Sequence, residues 1–465
     1  MTKEKNKIIL VIILILISLI ALVGSSYALL TKSFKSKKLS MEVGTLKVDF
    51  TEGNAINMAN AAPMTDSDGL KSTPYTFTIT NGGDINAYYT VSNEEELANT
   101  LDTSYLRMKL TGSDGYDSDI KTVKELGTET YKLIDDTLLE TGKSVTYELR
   151  MWISQDAGNN IQDKIYKSKI VVNGTSNKLP LATEKLIAKA NAEDLDYNSA
   201  TDAQKKEMWT FTHEATEQTT ALTDYRYIGA DPNNYIKFND ELWRIIGVFD
   251  TDDGTGKVEK RLKIIRNEVI DGEIEWADSR NEWSTASLNT TLNTGTFYTG
   301  LTATAKLMIG EAKWYLGGSI ANDNATASIF YQRERGTSVN CYEGCHSTSW
   351  TGKVGLMYPS DYGYATSGGS NNNRASCMGK ELRNWDDSSY SDCTNNDWLL
   401  NTSTTQWTIT PISDGDNAFF VFETGEIHHV DVFHSFAVAR PVVHLKSTIK
   451  VITGSGTKES PYILE

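Results

Sequence analysis

The stretch from residue 235 to 249, Tyr-Ile-Lys-Phe-Asn-Asp-Glu-Leu-Trp-Arg-Ile-Ile-Gly-Val-Phe, constrains the fold more than any other. Ile236 and Phe238 lead into Asn239-Asp240, and Leu242, Arg244, Ile245, Ile246 and Val248 follow in dense β-branched company. Such runs favour extended backbone, and Asn-Asp between them is a hairpin signal. Residues 261 to 266, Arg-Leu-Lys-Ile-Ile-Arg, continue the sheet after a polar loop. The C-terminal half is expected to hang on this three-strand meander.

At 465 residues the chain is too long for one ordinary core, so two or three domains are expected. A net charge of −16 argues against a nucleic-acid partner, whose phosphates need a basic face. The 22 Tyr and 10 Trp, amid abundant Thr, Ser, Asn and Gly, are the palette of β-sheet with long polar loops. Lys3, Lys5 and Lys7 precede an apolar run from residue 8 to 23. A basic head before such a core is a secretory signal. Ser26-Tyr27-Ala28 offers small residues for cleavage between Ala28 and Leu29. The competing reading is a retained membrane anchor, since residues 8 to 30 are long enough to span a bilayer at about 20 residues. Either way residues 1 to 28 point to an extracellular, cell-surface or membrane-anchored protein.

Residues 40 to 178 hold a series of alternating strands with no amphipathic helix between them, the cleanest being Val145, Tyr147, Leu149, Met151 and Ile153. This pattern predicts an antiparallel β-sandwich. The signal ending Ser-Tyr-Ala, the segment 41 to 50 (Met-Glu-Val-Gly-Thr-Leu-Lys-Val-Asp-Phe) and the segment 76 to 83 (Thr-Phe-Thr-Ile-Thr-Asn-Gly-Gly) together resemble the TasA/camelysin class of exported bacterial proteins. That resemblance implies a jelly-roll-like sandwich and, for some members, assembly into matrix fibres through a donated strand, for which residues 39 to 43 are placed. Camelysin has been classed with metallopeptidases, but the nearest approach to a zinc motif, His213-Glu-Ala-Thr-Glu217, puts Glu where the second His belongs. Residues 179 to 225 read as a partly helical linker, with helical pieces over 181 to 194 and 203 to 208.

Residues 226 to 465 read as an α+β domain, with helices expected over 287 to 292 and 303 to 316 against the meander. The segments 238 to 247, 353 to 364, 407 to 411 and 439 to 443 (Ala-Arg-Pro-Val-Val) are similar to a family of uncharacterised domains on secreted proteins of Firmicutes-type bacteria. The tail, with Thr424-Gly425 and then Arg440-Pro441 leading an apolar strand, resembles the C-type-lectin-like fold, which also includes the formylglycine-generating enzymes.

All four cysteines lie in this half, and an even count in an exported chain reads as disulfides. Three pairings are open. Nearest-neighbour pairing, Cys341 with Cys345 and Cys377 with Cys393, is preferred to a zinc site, which would want paired Cys-x-x-Cys knuckles. His428 and His429, adjacent in a strand, point to opposite faces. The acidic turn at Asp414, Asp416 and Asn417 offers oxygens to calcium, yet turns favour these residues anyway. Those three with Trp407 form the candidate ligand-binding patch. Rings in polar loops, Trp350, Tyr362, Tyr364, Trp385 and Trp398, suit a carbohydrate or protein surface.

No His-Glu-x-x-His, Gly-x-Ser-x-Gly or phosphate-binding glycine loop is present, so the expectation is non-catalytic. The order of parts suggests an adhesin-like head on a sandwich stalk, with a surface glycan or protein as ligand. A biofilm-matrix subunit, self-assembling through the N-terminal domain, is the alternative. A formylglycine-generating-like enzyme is a more distant one.

Overall fold

The hairpin at 235 to 249 forms the middle of the largest sheet. Tyr235–Phe238 pairs antiparallel with Glu241–Asp252, and Phe238 stands opposite Glu241. Asn239 and Asp240 have φ of 56° and 59°. Both being positive, they make the two-residue turn whose twist matches a hairpin. The computed structural model describes residues 46–52, 62–95, 99–126, 130–162, 164–318, 324–337, 346–413 and 415–465. They form several sheets with short helices between them, in a single unit from Leu46 to Glu465.

The large sheet runs from Val354–Gly355 through Val442–His444, Val258–Arg266, Glu241–Asp252, Tyr235–Phe238 and Tyr462–Leu464 to Val451–Thr453. Leu222–Arg226 also pairs with Glu241–Asp252, and Trp209–His213 pairs with Leu222–Arg226. Every residue from Trp243 to Phe249 is buried, as in a strand covered on both faces, which explains an apolar run with no alternation. Gly247 lies at a bulge in this strand. A Cβ there would collide with the Tyr225 carbonyl, so glycine is what lets Leu222–Arg226 dock. Trp243, Trp276, Trp283, Trp314 and Trp407 fill one core together with Ile245, Val248 and Ile264.

Two expectations are corrected here. The linker expected over 179 to 225 is built into this body: Ala182 and Leu186, from the helix Ala182–Ile187, join the same core, and Trp209–His213 and Leu222–Arg226 are strands of its sheet. The polar composition hid this because strands at a sheet edge alternate buried and exposed positions. The helix expected over 303 to 316 ends at Met308. The Met308 carbonyl accepts from the Lys446 N–H and the Gly310 N–H donates to His444, so the chain leaves the helix to join a neighbouring segment. Ala312–Tyr315 is then a strand whose Trp314 faces Trp350.

Residues 46 to 178 form two antiparallel sheets. One has the order Val48–Glu52, Tyr75–Asn81, Ser144–Ile153, Leu106–Gly112, Lys121–Thr122; the other is Thr130–Leu139, Ala87–Glu95, Ser168–Thr175. Phe77, Ile79, Val145, Tyr147 and Leu149 of the first share a core with Tyr89, Val91 and Ile134 of the second. The Tyr89 and Tyr147 hydroxyls meet at 2.6 Å across it. This module meets the larger body at a buried ion pair. Lys450 Nζ, from the body, lies 2.9 Å from Asp135 Oδ2 and 3.3 Å from Asp136 Oδ2, and the Leu179 N–H donates to Asp136 Oδ2.

Candidate functional site

The candidate patch does not form as a patch. Trp407 pairs with Phe420, whereas Asn417 lies three residues from Phe420 on the same regular strand. An odd separation in a strand means opposite faces, so Trp407 and Asn417 point away from one another. Trp407 is a core residue, 1% exposed, with its indole N–H donating to the Ile274 carbonyl at 2.7 Å. Asp416 and Asn417 are half-buried, and Asp414 lies outside the described residues. The turn is held from beneath by Asn281, whose buried amide reaches the carbonyls of Ile412, Gly415 and Asn417. The Asn417 amide meets His429 Nδ1 at 3.1 Å.

The aromatic rings are corrected as well. Tyr362, Tyr364, Trp385 and Trp398 are all buried, and only Trp350 is half-exposed. Tyr362 and Tyr364 sit on the helix Pro359–Ala365, every residue of which is buried, and Trp385 and Trp398 anchor irregular segments into the core. Cys377 and Cys393 form a disulfide that ties the helix Arg374–Gly379 to the helix Ser391–Asn395. Cys341, Cys345, Ala28 and Leu29 lie outside the described residues, as does the apolar run from 8 to 23. Among the described residues no helix is long and apolar enough to cross a membrane, and no three His, Cys, Asp or Glu side chains come together as metal ligands. His428 and His429 stand opposite Phe420 and Phe419, on the two faces of their strand.

The densest chemistry in the molecule lies elsewhere, in charges the sequence did not single out. Asp361, on the helix Pro359–Ala365, accepts from Lys263 at Oδ2 and from Arg226 Nη1 at Oδ1, the latter at 3.1 Å. The Tyr358 N–H also donates to its Oδ2 at 2.9 Å. Arg226 turns its other nitrogen to Asp224 at 2.8 Å, and His213 Nε2 is 2.9 Å from the same carboxylate. On the helix Ala327–Glu334, Glu334 accepts from the Ser360 N–H and hydroxyl and lies 3.4 Å from Arg335. The Arg335 guanidinium in turn covers the Tyr331 ring at 3.5 Å, and the His213 imidazole stacks on the same ring with centroids 3.9 Å apart.

Three carboxyls thus face three cationic side chains inside the protein. Burial pushes the Asp361 carboxyl up, but Lys263 and Arg226 outweigh it and hold it below the usual range. Asp224 is likewise held down by Arg226 and His213 against burial. Burial wins at Glu334, whose carboxyl is raised, and at His213, whose imidazole is lowered and stays neutral near pH 7. The Lys263, Asp361, Arg226 and Asp224 side chains are each no more than 2% exposed. Through these contacts the strands carrying Asp224, Arg226 and Lys263 are tied to the helix carrying Asp361. Their sequence signal was a charge inside an apolar run, as in Leu262-Lys263-Ile264; an inward-facing charge there needs a partner.

No protein-family profile matches the sequence, and no curated protein matches it. Among solved structures, AvmM, described as catalysing macrocyclization in alchivemycin A biosynthesis, aligns over 28% of this chain and 89% of its own length. The identity is 10% and the TM-score 0.17. An alignment of that quality carries no argument about fold or activity.

Proposed function

We propose that this is an exported bacterial surface protein that displays a non-catalytic ligand-binding body on a β-sandwich stalk. The two-sheet module is the jelly-roll-like stalk of that reading, and residues 179 to 465 are its lectin-like head. The observation that supports it is the joint between the two. Lys450, 5% exposed, is locked onto Asp135 and Asp136, and the residues after 181 enter the core of the head at once. A joint without a free linker suits a spacer that holds a recognition face away from a surface.

The decisive experiment is capture of the purified full chain on glycan and surface-protein arrays, with and without a calcium chelator, alongside surface labelling of intact cells. Specific capture by a labelled surface protein is the expected result. No capture, together with concentration-dependent assembly of the full chain into fibres, would replace the display reading with that of a matrix subunit. Loss of capture on chelation would assign calcium to the turn at 414 to 417.

A further inference from the structure

Among the arginines buried in the described residues, Arg244 and Arg440 are the exception to the pairing rule of this interior. Arg226, Arg261, Arg266 and Arg335 each have a carboxylate within salt-bridge reach. Arg244 and Arg440, 8% and 4% exposed, have none among the described residues. Every acceptor they have is a neutral oxygen. Arg244 donates from Nε to Asn234 Oδ1 at 2.8 Å and from Nη1 to the Trp398 carbonyl at 3.4 Å. Arg440 donates from Nε to the Arg266 carbonyl at 2.9 Å, and from Nη1 to the Leu399 carbonyl at 3.2 Å and Gln406 Oε1 at 3.4 Å.

The two guanidiniums therefore grip consecutive carbonyls of one loop, at Trp398 and Leu399, which brings two like charges together. Two buried donors beside them, Arg244 Nη2 and Gln406 Nε2, have no acceptor among the described residues. The carboxyl of Asp397, in the same loop, accepts at Oδ1 from the Leu399 N–H at 2.8 Å. Burial drives that carboxyl well above the usual range against the pull of Arg244, and neither arginine makes a salt bridge to it; its Oδ2 has no hydrogen-bond partner among the described residues. Burial, reinforced by Arg244, also lowers Arg440 to about 9. The Tyr235 and Trp398 rings clamp the Arg244 guanidinium, each with its centroid 4.5 Å away, so its plane is fixed in advance. Tyr235, one of the two clamping rings, is itself only half-buried.

Buried like charges with only neutral partners are unfavourable, and an anion that joins them relieves the imbalance. Planar guanidiniums match the two-oxygen edge of a carboxylate or phosphate. We infer that Arg244, Arg440 and Gln406 form a binding site for a small oxyanion, either free phosphate or the carboxylate of an acidic ligand. This site stands independently of the display reading, whose failure would leave it untouched.

The test is isothermal titration calorimetry of the full chain with inorganic phosphate and, separately, with succinate, at constant ionic strength set by sodium chloride. The wild-type protein should bind one of the two saturably, and which one identifies the source of the oxyanion. Gln406→Glu supplies an internal carboxylate next to Arg440 without changing side-chain size. It should weaken binding at least about tenfold while the protein keeps its wild-type circular dichroism. Arg440→Gln should weaken binding similarly. Saturable binding by neither anion, or equal affinity in a folded Gln406→Glu protein, would overturn the proposal.

Discussion

Replacing Lys263 with Met is the sharpest probe of the buried charge array. Methionine keeps most of the lysine stem, which packs beside the Tyr358 ring with the ammonium 4.2 Å from its centroid, and removes only the charge. Asp361 would keep Arg226 at 3.1 Å and the Tyr358 N–H at 2.9 Å but lose the cation that most lowers its carboxyl. Removing one partner of a buried pair costs about 3–5 kcal/mol. With two hydrogen bonds retained, the expected loss lies at the lower end, about 3 kcal/mol at pH 7. Reversible guanidinium unfolding of wild type and variant would measure it.

The pH dependence carries the same logic with a definite sign. In the wild type the depressed Asp361 carboxyl contributes stability above its unfolded value of about 3.9, which is lost as pH falls through the folded value. In the variant, burial dominates and the carboxyl takes up a proton at higher pH. A neutral Asp361 no longer needs Lys263, so the difference between the two proteins should shrink from pH 7 towards pH 5. A loss below about 1 kcal/mol at pH 7, or one that grows on acidification, would refute the account of Lys263 as the required counterion.

His444 gives a second pH signature. Burial holds its imidazole well below the usual value, so the unfolded chain binds the extra proton, and stability should fall by up to about 1.4 kcal/mol per pH unit below about 6.5. In His444→Gln the slope of unfolding free energy against pH, between 6.5 and 5, should decrease by that amount, leaving the part due to His213, His346 and His428, which are also lowered. Lys450→Met leaves Asp136, only 6% exposed, without its cation, and should destabilise the joint by about 3 kcal/mol. Differential scanning calorimetry should then show the two-sheet module melting ahead of the rest; one unchanged transition would mean the ion pair does not hold the joint.

What the sequence determined by itself is local. The Asn239-Asp240 turn, the alternation of residues 144 to 153 and the meander through residue 266 were readable because turn chemistry and side-chain period act between near neighbours in the chain. They fixed a β-rich protein with more than one sheet.

The tertiary structure decided the rest. Arg226 and Asp361 are 135 residues apart, and nothing local marks either as the other's partner. Arg244 and Arg440 each lie in a segment that was noticed, yet only the fold places both on the loop at 398 to 399. Whether Trp407 faced water depended on the sheet face given to Asn417, and whether residues 209 to 226 linked or packed depended on a free edge beside Gly247. Periodicity tells which residues share a face. Which face finds another surface, and which charge finds a counterion, is settled only when distant segments compete for the same buried space.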